Sequence, residues 1–130
     1  MEFLRARIPD YADYATEDAR HQVDKQMRAA LGEALAVMRE QLAPEGPLLE
    51  QLDGLMLRCE FSDYRVVRVA EHACFGASLL ERVHALDRRI VEAAEHVRAV
   101  TSPEELAAAL DGAARALDAR SGAIAEAPVR

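Results

Sequence analysis

The chain has no tryptophan, and only 5% of its residues are aromatic. A strand-rich core built on large rings is therefore not expected. Lysine is almost absent: Lys25 is the only one, and every other basic side chain is arginine. There is no Gly-rich phosphate loop, no Cys-x-x-Cys pair and no Cys/His spacing of a zinc or haem site. No Ser or Cys nucleophile stands in a motif with a base and an orienting acid. No apolar run is long enough to cross a bilayer, and Met1-Glu2-Phe3-Leu4-Arg5 lacks the apolar core of a signal peptide. These absences predict a cytoplasmic chain with no cofactor, and they give no positive support to catalysis.

What is present is helix-forming. One residue in five is alanine, and Leu, Glu and Arg are abundant. Much alanine with almost no lysine is the composition of a GC-rich, bacterial genome. The net charge of −7 comes with arginines scattered among carboxylates. Such a surface repels phosphate backbones, so nucleic acid is not an expected partner. At 130 residues the chain is one domain, large enough to bury a core.

Breaks divide it. Pro44-Glu45-Gly46-Pro47 ends one helical segment and begins another. At Phe75-Gly76-Ala77-Ser78-Leu79-Leu80-Glu81, Gly76 can close a helix and Ser78 with Glu81 reads as a capping box. At Thr101-Ser102-Pro103-Glu104-Glu105, Ser102 caps, Pro103 takes the first helical position and Glu105 is the reciprocal acceptor. Apolar positions at three- and four-residue steps then predict four helices, at about 16–42, 47–75, 79–100 and 103–124. A helix starting at Ser62-Asp63 and running through Gly76 to Val100 is the alternative to the second and third. Short connections favour an all-α, antiparallel, up-down-up-down four-helix bundle over residues 16–126. Residues 1–15 form an N-terminal arm, and 127–130 a frayed tail.

Cys59 and Cys74 fall on the predicted second helix. If that helix is continuous they stand roughly 22 Å apart and cannot pair.

Two sets of residues are candidates for function. Arg20, Asp24, Asp63, Asp87 and Arg120 fall on faces that are otherwise apolar, with His84 on the flank of one of them. A buried charge needs a partner, so structural ion pairing is the first reading of this polar layer. A small-molecule or metal site is the second. Di-iron bundles use Glu-x-x-His on two helices. Here Glu81-x-x-His84 occurs once, and arginines would oppose a cation.

The second set is an additional apolar stripe on the predicted second helix. Leu57, Phe61, Tyr64 and Phe75 recur there with Arg68 between them. An outward face should be polar. Either the arm covers the stripe through residues such as Tyr11 and Tyr14, or another protein does. The expected interface is therefore Leu57, Phe61, Tyr64, Arg68 and Phe75, supported by Tyr11 and Tyr14, in a homodimer or with another protein.

Overall fold

The computed structural model describes residues 1–63, 66 and 75–128, and among these it is all-helical, with no strand. Five helices are described: α1 (Glu2–Arg7), α2 (Glu17–Leu42), α3 (Gly46–Glu60), α4 (Ala77–Ala99) and α5 (Pro103–Ala125). None is long and apolar enough to cross a membrane.

The helix ends follow side-chain chemistry. Thr16 caps α2 by accepting from the Ala19 N–H at 3.1 Å. Ala43 closes it in the left-handed conformation at φ 43°. Gly46 stands at φ +62°, a value open to glycine, and turns the chain into α3 with Pro47 in the first turn. Ser102 accepts from the Glu105 N–H at 3.2 Å. The Glu105 carboxylate reaches one residue further back than the box predicts, to the Thr101 N–H at 3.0 Å.

Three expectations change. The second helix does not run from 47 to 75. It ends at Glu60, and Phe61 is extended at φ −127°, ψ 141°. The end is held from α2: Arg28 Nη1 donates to the Cys59 carbonyl, one of the last-turn acceptors that a helix leaves without a partner, and the Ser62 hydroxyl donates to the Asp24 side chain. Secondly, Ser78 does not cap α4. The helix starts two residues earlier, with Gly76 extended as the N-cap and no side-chain cap. Gly76 is still a boundary, so no helix runs through it. Thirdly, Ala127 is buried and donates to the Ile124 carbonyl at 3.0 Å, so that part of the tail is tied down.

The core is built from the predicted apolar faces. Met27, Leu31, Leu35 and Met38 of α2 meet Leu52 of α3, Val83, Ile90 and Val97 of α4, and Leu106 and Leu110 of α5. Full burial of such a side chain stabilises by about 1.5–3 kcal/mol. Small residues set the spacing: Ala109, Ala113 and Ala116 are buried on α5, and a Cβ on Gly32 would lie 3.3 Å from that of Cys59. α2 packs on α3 and α4, and α5 packs on α4 and α3. With residues 61–76 lying between them, α3 and α4 are not a tight hairpin.

Candidate functional site

The arm goes inward. Leu4 of α1 is buried, and α1 lies on α4. Arg7 and Arg88 stack on the Phe3 ring at 3.6 and 4.2 Å. Gln26 of α2 then clamps the following segment, donating to the Asp10 carbonyl at 2.7 Å and accepting from the Ala12 N–H at 3.3 Å. Asp13 turns the chain at φ 60°, a conformation that Asp tolerates better than most residues. Its carboxylate accepts from the Tyr14 N–H at 2.8 Å and meets His84 Nε2 at 2.7 Å.

This turn delivers two phenol groups to a buried carboxylate. Tyr11 and Tyr14 both donate to Asp87 Oδ2, at 2.5 and 2.7 Å. Asp87 is completely buried. Its other oxygen accepts from Arg120 Nε at 2.6 Å. Arg120 Nη1 donates to Asp24 Oδ1 at 2.9 Å, and Nη2 to the Tyr14 oxygen at 3.0 Å. Asp24 Oδ2 accepts from Arg28 Nε at 3.0 Å and from Ser62 at 2.9 Å. One hydrogen-bonded chain thus links the arm, three long helices and the segment after α3.

The electrostatics are balanced. Two carboxylates, Asp24 and Asp87, face two guanidinium groups, Arg28 and Arg120. Burial pushes the Arg120 guanidinium down, but the Tyr14 oxygen, Asp87 and Asp24 more than offset it, so it is held charged. Burial and then Asp87 push Tyr11 well above the ordinary tyrosine value. Burial does the same to Tyr14, opposed by Arg120 and reinforced by Asp87. Both are therefore neutral donors at physiological pH. Among the described residues no buried side-chain N or O lacks a partner, and no group of His, Cys, Asp and Glu is placed to hold a metal. Chemically the cluster is a clamp: its lone pairs and protons are already spent on one another.

Of the six polar residues picked from sequence, Asp24, Asp87 and Arg120 come together directly. Arg20 stands beside them, donating from Nε to the Tyr14 carbonyl at 3.1 Å and lying 4.5 Å from the Phe75 ring. His84 pairs with Asp13 at the edge. Asp63 is half-buried in a cleft of about 180 Å³, shared with Arg28, Arg58, Phe61, Arg120 and Ser121. Sequence reasoning missed Tyr11, Tyr14 and Arg28 as members of the cluster. The Arg28 signal was present: Asp24 and Arg28 are an i,i+4 pair.

The predicted interface is divided. Leu57 and Phe61 are 57% and 66% exposed. Tyr11 and Tyr14 are buried inside the chain and do not support that surface, because Asp87 draws their hydroxyls inward. Phe75 is stacked on Tyr14 at 5.3 Å, so it too faces the arm. Tyr64, Arg68 and Cys74 lie outside the described residues. Cys59 is a buried free thiol that burial pushes up to about 11.

No family model, no curated protein and no solved structure matches this chain.

Proposed function

We propose that the protein works by association with another protein chain, through the outer face of α3. The observation that carries this is the pair Leu57 and Phe61, the largest exposures among the described big apolar side chains. Leu57 is in the last turn of α3, Phe61 directly follows that helix, and both are left exposed. Side chains of this kind at the centre of an exposed face are what interfaces use. The closed charge balance of the Asp24–Arg28–Asp87–Arg120 cluster supports a scaffold role for the interior. The four long helices act as one bundle whose direction alternates along the chain. Arg39 with Asp53 and Arg28 with the Cys59 carbonyl support opposed α2 and α3. Arg120 with Asp87 and Arg82 with Glu126 support opposed α4 and α5.

The test is position-specific cross-linking in cells that make the protein. With Leu57 replaced by the photo-cross-linker p-benzoylphenylalanine, illumination is expected to join the chain to a protein. The same residue in place of Arg89, on the exposed side of α4, is expected to give no product. Equal or absent products at both positions would remove the proposal.

A further inference from the structure

Gly54 lies in the middle of α3 and is exposed, and a Cβ there would have nothing within 4 Å. Glycine is the least favourable residue except proline in a helix interior. No contact among the described residues calls for it. At 100° per residue, Gly54 falls on the same face as Leu57, and Phe61 follows directly after the last turn. A glycine beside two exposed apolar side chains lets a second helix backbone come close.

The two flanks of this face carry opposite charge. Asp53 is on the α2 side, where it bonds Arg39 at 2.8 Å. Arg58 is on the α5 side, where it bonds Asp118 at 2.7 Å. Both pairs are exposed, so they are weak and exchangeable. When two copies of one helix pack side by side in parallel, the left flank of one meets the right flank of the other, as in parallel coiled coils. When they pack antiparallel, like flanks meet. The antiparallel arrangement would set Asp53 and Glu60 of one chain against the same acidic flank of the other. The parallel arrangement sets Asp53 against the partner's Arg58, and by symmetry Arg58 against the partner's Asp53.

Resting on the association reading above, we infer that the occupant of this face is a second copy of the chain, with the two α3 helices parallel about a two-fold axis, touching at Gly54, Leu57 and Phe61 and flanked by two Asp53–Arg58 pairs. The contact is isologous, the commonest kind in oligomers. Two helical turns bury less than the about 1,200 Å² of ordinary stable interfaces, so the dimer is a weak, exchanging one.

Sedimentation velocity across micromolar to millimolar concentrations tests this on the full chain. Wild type is expected to dimerise reversibly. Asp53→Arg alone and Arg58→Asp alone each set like charges across the contact and should weaken self-association by about tenfold or more. Gly54→Leu should do so by filling the point of closest approach. The deciding sample mixes the two charge variants: it is expected to dimerise, with one copy of each, because both cross-pairs are then complementary. That recovery also excludes misfolding of the single variants. A dimeric wild type indifferent to all three substitutions, or charge variants that stay monomeric when mixed, would overturn the inference. A wild type that stays monomeric while Leu57 cross-links to a different protein would overturn the second copy as occupant and leave the association reading standing. A monomeric wild type with no cross-link at Leu57 would remove both.

Discussion

The hydroxyl of Tyr14 bridges Arg120 and Asp87, accepting from Nη2 at 3.0 Å and donating to Oδ2 at 2.7 Å. A residue of the N-terminal arm thereby completes the hydrogen bonding of an ion pair in the helical core. The arm is part of the core's polar balance, and removing its contacts should be felt by the helices.

Tyr14→Phe removes the bridge and leaves a buried guanidinium N–H and a carboxylate oxygen each short of a partner. A loss of about 1–3 kcal/mol is expected in urea unfolding. Tyr11→Phe deletes one bond to the same oxygen and should cost less. The two losses should not add, because both hydroxyls share Asp87 Oδ2. In the double variant trypsin should cut at Arg5 and Arg7 faster than in wild type. Unchanged cleavage would mean that the phenol groups do not hold the arm.

Asp87→Ala removes the acceptor of Arg120 Nε and of both phenol O–H groups, and leaves buried Arg120 with Asp24 as its one carboxylate partner. The expected cost is about 3–5 kcal/mol, the range for breaking a buried pair. A change of a few tenths would contradict its complete burial.

Stability should fall in alkali, with a defined onset. Tyr11 and Tyr14 are raised in the folded state. Their contribution is complete below the unfolded value of about 10 and is lost as pH rises from there toward the folded values. Each tyrosine should remove about 1.4 kcal/mol per pH unit above that onset. The measurement is phenolate absorbance against helicity, with the Tyr11→Phe/Tyr14→Phe variant as the blank. Their phenolate signal should appear only as helicity is lost. Ionisation near pH ~10 in a fully helical protein would refute the burial of these hydroxyls.

Cys59 should be slow to alkylate. Burial pushes its thiol up to about 11, against the opposing charges of Arg58 and Arg28. At about pH 8 iodoacetamide should leave it unmodified in the folded protein and modify it in denaturant, read by peptide mass. Rapid modification when folded would show an opening between α2 and α3 near Gly32.

The helix caps give a contrast between two serines. Ser102→Ala should cost about 1 kcal/mol, because its oxygen satisfies the Glu105 N–H. Ser78→Ala should cost only a few tenths, because Ser78 sits inside the first turn of α4 and makes no hydrogen bond with the described residues. Thermal unfolding of the two variants compares them directly.

The sequence by itself determined the helical class, the extents of α2 and α5, and the apolar faces that meet in the core. These are local matters: period, capping residues and proline act within one or two turns. It also marked Asp24, Asp87 and Arg120 as charges on apolar faces, since a face can be read from spacing alone. The Ser62-Asp63 start signal marked a break after α3 as one of two alternatives, and only the tertiary structure decided between them: Arg28, over thirty residues away in the chain, holds the Cys59 carbonyl at the end of α3. Only the tertiary structure decided what the arm does. Tyr11 and Tyr14 read as apolar surface anchors until Asp87 stands opposite them. A tyrosine carries a ring and a hydroxyl, and which one governs its placement depends on a partner that the local sequence does not contain.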